Sequence, residues 1–111
     1  EISLTDNFKV MSNHTESIYR PSQLGMNIAP SCSLHGGATA EEAVQIFDNV
    51  LCNKATDFQR DTVLINAAFG IHTICPEKTL EACIDEARTS LISGKARNTF
   101  KKFIEINSKN I

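Results

Sequence analysis

Apolar and polar positions change rhythm once along this chain. Near its start Ile2 and Leu4 alternate with polar neighbours, Phe8 and Val10 repeat the alternation, and Ile18 follows, with turn-rich "TDN" and "SNHTE" between. A period of two puts alternate side chains on one face, so residues 1–20 are expected as short strands in a meander. Pro21, Gly25, Pro30 and the Gly36–Gly37 pair then punctuate a stretch without a period, read as a loop over 21–37. From 38 to 107 the period lengthens, and the expected elements are helices.

Thr39 and Glu42 stand in capping-box spacing, in which a hydroxyl accepts from an amide further on and a carboxylate reaches back. Ala40, Val44, Phe47, Val50 and Leu51 recur at helical spacing with Glu41, Gln45 and Asp48 opposite them, predicting an amphipathic helix that ends near Asn53. Thr56 and Gln59 repeat the capping spacing ahead of "RDTVLINAAFGI", and Asp57 favours the positive end of a helix dipole. Pro76 stops this second helix near Cys75, since proline lacks an amide hydrogen and disfavours helical geometry in the residue before it. A third helix is expected from Thr79, burying Leu80, Ile84, Ala87 and Leu91 and stopping at Gly94. Ala96, Phe100, Phe103 and Ile104 mark a fourth, short and basic.

No charged residue appears from Thr62 to Pro76, and Val63, Leu64, Ile65, Ala67, Ala68, Phe69 and Ile71 cover the full turn of the second helix. A helix of that kind is expected to be buried on all faces. A membrane span needs ~20 largely apolar residues, and this run is shorter and carries Asn66 and His72. It reads as the central helix of a small bundle or of a helical layer on a sheet.

Composition narrows the class. A chain of 111 residues, 41% hydrophobic and 22% charged, is long enough for one domain and excludes disorder and low complexity. A net charge of −2 gives no broad attraction to nucleic-acid phosphates or anionic lipid, so neither partner is expected. Cys32, Cys52, Cys75 and Cys83 show no CxxC spacing, and three of them fall in apolar helical stretches, which predicts buried free thiols in a reducing cytoplasm. The glycosylation triplet at Asn13 is discounted for want of a signal peptide. The opening at Glu1, with strand-like residues at once, reads as a piece of a longer protein.

Candidate chemistry is sparse. His14, His35 and His72 have no spacing that puts two imidazoles on one face, and His72 is expected as a hydrogen-bonded core residue. "HGGAT" precedes a helix N-terminus, where free amides could cradle an anion, but a tight loop-to-helix turn is the better reading of two glycines. Lys95, Arg97, Lys101 and Lys102 read as a solvated face. Arg60 and Asp61 point about 100° apart on a helix, so each is expected to find its own partner and to anchor the helix mouth. Asn66, an amide on an apolar surface, must be paired and is expected to hold a neighbouring loop. No triad, phosphate loop or paired-carboxylate site stands out, and no catalytic or substrate-binding residue is expected in this chain.

Taken in order, "EISLT", the "GM" at Gly25, "LHGGATAEEAVQIFDNVL", "RDTVLINAAFGI" and "TLEACIDEARTSLISGKARNTFKKF" resemble the C-terminal part of the anthranilate phosphoribosyltransferase family over essentially the whole chain. The pieces are weak singly, but that family shows a GG(D/N)xxENA-like helix start, an RDxVLLNAA-like helix and an SGxA turn in the same order. The resemblance implies a glycosyl transfer of tryptophan biosynthesis, with anthranilate and phosphoribosyl pyrophosphate as substrates, Mg2+ as cofactor and a homo-oligomeric parent. It implies that Glu1, before "IS", matches the second member of an Asp-Glu pair that takes part in metal binding. The family's glycine-rich phosphate loop, its lysine motif and its anthranilate-associated arginine have no counterpart here, so the isolated chain is expected to be inactive.

Two departures bear on loop detail: "GGAT" lacks the usual acidic or amide residue after the glycines, and Glu42 stands where an amide is common. The implied parent fold is an α/β domain like that of nucleoside phosphorylases; this tail, seen alone, is expected to be α+β, strands first and about four helices after. An uncovered sheet edge would favour association by strand pairing. A relative of pyrimidine nucleoside phosphorylase and a non-enzymatic nucleic-acid-binding member of the fold are the alternatives, the second disfavoured by the net charge of −2.

Overall fold

One hairpin followed by four helices frames residues 1–109, the part described by the computed structural model. Strands β1 (Phe8–Met11) and β2 (Glu16–Tyr19) pair antiparallel, Phe8 opposite Tyr19 and Met11 opposite Glu16. Ser12 closes the turn: its amide donates to the Thr15 carbonyl at 2.9 Å, and its hydroxyl lies 2.8 Å from that of Thr15. Helices α1 (Ala40–Leu51), α2 (Asp57–Ile74), α3 (Leu80–Ile92) and α4 (Lys95–Ser108) complete the chain, which is α+β as expected. The connection over 21–37 holds two short 3-10 turns, Pro21–Leu24 and Ser31–Leu34.

The first expected strand does not form. "EISLT" lies outside the sheet, and Leu4 is fully buried at a φ of +60°, a kink that no strand tolerates. Its backbone is satisfied without a ladder: the Leu4 carbonyl accepts from the Ala29 amide at 2.8 Å, and Ile2 bonds a side chain on α2. The meander is therefore one hairpin.

The helix starts follow their caps. The Thr56 hydroxyl accepts from the Gln59 amide at 3.2 Å, and Gln59 answers by accepting from the Thr56 amide at 3.1 Å. Thr79 caps α3 through the Ala82 amide at 3.1 Å. At α1 the reciprocal half is displaced: Thr39 accepts from the Glu42 amide, but the Glu42 carboxylate takes the Ala38 amide at 2.6 Å. Cys75 caps α2 directly before Pro76, and Gly94, at φ +84°, turns the chain from α3 into α4.

The core joins α2 to α3. Leu64, Ile65 and Ala68 meet Cys83, Ile84, Ala87 and Leu91, with Leu4, Met26, Ala29 and Val50 closing the cluster. Phe69 docks the hairpin on α2, its ring 5.9 Å from Phe8 and 5.6 Å from Tyr19, both edge-on.

Several expected buried faces are open. On α1, Val50 is buried whereas Ala40, Val44 and Phe47 are exposed, the Phe47 ring lying 4.9 Å from that of Phe100 on α4. Phe103 and Ile104 of α4 are exposed too, and α4 is not short. The second helix is not buried on all faces: Val63, Ala67, Gly70 and Ile74 look outward. All four thiols are free, but only Cys83 is fully buried; Cys52 and Cys75 sit part-buried at helix ends and Cys32 is exposed. Among the described residues no helix is long and apolar enough to cross a membrane.

Candidate functional site

Asn66 organises the densest polar contacts between the N-terminal segment and the helical layer. Its side-chain oxygen accepts from the Ile2 amide at 2.9 Å, and its nitrogen donates to the Ile2 carbonyl at 2.7 Å and to the Thr62 carbonyl at 2.8 Å. Both amide hydrogens and the oxygen are thus used, and the first of these pairings copies what a neighbouring strand would give Ile2. One turn earlier the Thr62 hydroxyl donates to the Phe58 carbonyl at 2.8 Å, with the Ser3 carbonyl at 3.5 Å. These contacts hold the residues that follow Glu1, whose own side chain is exposed.

Arg60 and Asp61 pair with each other, contrary to the expectation of separate partners. The Arg60 guanidinium donates through Nε at 3.1 Å and through a terminal nitrogen at 3.0 Å to one Asp61 oxygen, and reaches Asp57 at 2.9 Å. The divergence of about 100° applies to the Cβ directions; arginine's long stem curls back and its fork spans the gap. Hydrogen bonding to Asp61, and the charges of Asp61 and Asp57, raise the Arg60 pKa above the ordinary arginine value against the opposing effect of burial. With two carboxylates on it, Arg60 is already neutralised for any incoming anion, although it borders a cleft of about 610 Å3 with Val50, Asn53 and Arg88.

In the "HGGAT" turn two of the amides that could cradle an anion are already taken. The Gly37 amide donates to His35 Nδ1 at 3.1 Å, and the Ala38 amide is occupied by Glu42. Gly37 has φ +90°, and a Cβ there would lie 2.8 Å from that of Glu42, so the turn requires glycine. The acidic residue where the family pattern favours an amide thus closes its own helix start. His72 is half-buried, its Nδ1 3.0 Å from the Lys78 carbonyl, and His14 and His35 are exposed.

Among the described residues no group of three or more His, Cys, Asp or Glu side chains could hold a metal ion. Glu1 fits only as a single ligand, in the mode in which Mg2+ takes one or two carboxylates together with waters and substrate phosphates. A second cleft of about 580 Å3, lined by Tyr19, Gln23, Leu80, Glu81, Ile84 and Arg88, likewise gathers no nucleophile-base pair. The residue that the sequence did not single out is Thr62, visible only as a hydroxyl one turn before Asn66 on the same helix face.

Comparison with known proteins supplies what the geometry does not. A family model described as "Glycosyl transferase family, a/b domain" matches residues 4–97. Proteins named anthranilate phosphoribosyltransferase are similar over nearly the whole chain: that of Phocaeicola vulgatus is 59% identical across 97% of this chain and 33% of its own length. Those of Bacteroides fragilis and Bacteroides thetaiotaomicron are 54% and 51% identical across 96% and 98% of this chain, and 32% and 33% of their own lengths. The chain thus spans about a third of the length of the curated relatives it matches. No solved structure matches.

Proposed function

Since the chain belongs to the glycosyl transferase family, a/b domain, we propose that it works as part of an anthranilate phosphoribosyltransferase. The observation that carries this reading is the identity of 59% to a protein of that name over 97% of the chain. The reaction transfers phosphoribose: the anthranilate amine attacks C1 of phosphoribosyl pyrophosphate, the bond from C1 to pyrophosphate breaks, and the amine loses a proton. Positive charge develops at the sugar and negative charge on the departing pyrophosphate, so orientation and electrostatic stabilisation carry the catalysis. Mg2+, when bound, neutralises charge on the leaving group.

The part this chain plays is positional. Asn66 grips Ile2 by both backbone groups, which fixes the neighbouring Glu1, the one residue here assigned as a metal ligand. The rest of that site lies outside these residues, and the chain on its own is inactive. The same reading makes the parent a cytoplasmic homo-oligomer with no nucleic-acid or membrane partner, in keeping with the net charge of −2.

A polypeptide joining the upstream two-thirds of the Phocaeicola vulgatus relative to this chain tests the substrate. Pyrophosphate release is expected with phosphoribosyl pyrophosphate plus anthranilate, and no phosphorolysis with phosphate plus a pyrimidine nucleoside. Phosphorolysis without transfer would overturn the reading in favour of a nucleoside phosphorylase.

A further inference from the structure

Among the described residues Leu4 and Asn53 have positive φ without being glycine. Asn53, at +59°, lies just past the end of α1, where asparagine is an ordinary helix stop. Leu4, at +60°, neither ends a helix nor sits in the hairpin turn. A bulky side chain rarely adopts that backbone, and such residues persist only where their surroundings over-determine them.

The surroundings of Leu4 do so. Its side chain belongs to the core and is 1% exposed, and its carbonyl accepts from the Ala29 amide at 2.8 Å. Two residues earlier Asn66 takes both backbone groups of Ile2, at 2.9 and 2.7 Å. Between these anchors the Ser3 hydroxyl lies 2.8 Å from that of Thr5 and braces the bend. Residues 1–5 form neither strand nor helix, yet they are held from α2, from the 21–37 connection and by one another, while the Glu1 side chain is exposed. A strained and firmly held backbone next to an exposed carboxylate suits a preset ligand, whose direction is fixed before an ion arrives and costs little ordering when it does. We infer that Leu4 is a positioning residue for Glu1: its left-handed turn, locked by the core and by Ala29, sets the line on which Ile2 meets Asn66 and hence where Glu1 stands. This rests on Glu1 being a metal ligand of the proposed transferase, and it is read in metal affinity and hydrogen exchange, not in turnover.

Mn2+ stands in for Mg2+, and its free electron-paramagnetic-resonance signal is titrated in the joined polypeptide with phosphoribosyl pyrophosphate and no anthranilate. Leu4→Ala keeps the strain and loses the anchor, and is expected to weaken Mn2+ binding at least about tenfold. Leu4→Gly loses the anchor too but adopts a positive φ freely, and is expected to bind at least about threefold more tightly than Leu4→Ala. Leu91→Ala truncates another core residue, 4% exposed, and is expected to lower Tm while leaving Mn2+ affinity within about twofold of the unsubstituted protein. One readout needs no variant and so survives a folding failure of any of them: in the metal-free, unsubstituted joined polypeptide the Ile2 amide is expected to exchange at least about a hundredfold slower than in an unstructured peptide. Unchanged affinity in both Leu4 variants, a Leu4→Gly no better than Leu4→Ala, an equal loss in Leu91→Ala, or an unprotected Ile2 amide each overturns the inference. An unsubstituted joined polypeptide that binds no Mn2+ removes Glu1 from the metal site and this role of Leu4 with it. Weakening in the expected order without any transfer to anthranilate sinks the functional reading and leaves this one standing.

Discussion

At the scale of the residue, a buried amide and a charged pair behave differently. Removing the Asn66 side chain leaves the Ile2 amide and carbonyl without partners, so Asn66→Ala is expected to cost about 1–3 kcal/mol in urea unfolding, with faster hydrogen exchange at Ile2. An unchanged midpoint would deny the amide its part. Arg60 is about a third exposed, and Arg60→Met is expected to cost only about 0.5–1 kcal/mol. Its folded-state pKa is raised, so its stabilising effect is complete below the unfolded arginine pKa and is lost only as pH rises through the higher folded value. The cost of Arg60→Met should therefore be the same at about pH 6 and about pH 9, and a cost that vanishes at the upper pH would contradict the assignment. In the joined polypeptide, Glu1→Gln is expected to raise the Mg2+ concentration for half-maximal rate at least about tenfold; an unaltered requirement removes Glu1 from the metal site.

Asn66 was legible because an amide in an apolar run has to be satisfied. The Arg60–Asp61 pairing was not. The angular argument holds for Cα–Cβ directions, and arginine's reach exceeds what those directions allow a short side chain.

At the scale of the element, caps were read more surely than strands. Thr39, Thr56 and Thr79 each cap the helix expected of them, because hydroxyl and amide are a few residues apart and need nothing from the rest of the fold. The alternation of "EISLT" could not say whether its backbone would pair with a strand or with the Asn66 side chain, and that choice is made at long range. The Gly37 turn gives the local test. Gly37→Ala meets both a φ of +90° and the Glu42 Cβ at 2.8 Å, and it is expected to cost at least about 1 kcal/mol. Gly36→Ala has open space and should stay within about 0.5 kcal/mol. Equal thermal shifts for the two would refute the account of this turn.

For the whole molecule, order of elements and fold class followed from periodicity, while the extent of burial did not. All-round apolar character on α2 predicts burial on every face, yet the hairpin, α3 and the N-terminal segment cover only part of it. The same holds for Val44 and Phe47 on α1. Hydrophobicity along a helix tells which faces could be buried, not which neighbours are there to bury them. No catalytic constellation was legible in the sequence, and among the described residues the structure gathers no group of three or more metal-ligating side chains.

The central claim is that this chain serves as the C-terminal third of a phosphoribosyltransferase, and the most direct measurement is kcat/KM for anthranilate of the joined polypeptide, beside that of the Phocaeicola vulgatus relative. The account predicts values within about tenfold of each other, since a loss of about 1.4 kcal/mol in transition-state stabilisation is the most that imperfect packing at the junction should cause. A folded joined polypeptide slower by more than about a thousandfold, or one that turns over only a different acceptor, would contradict it.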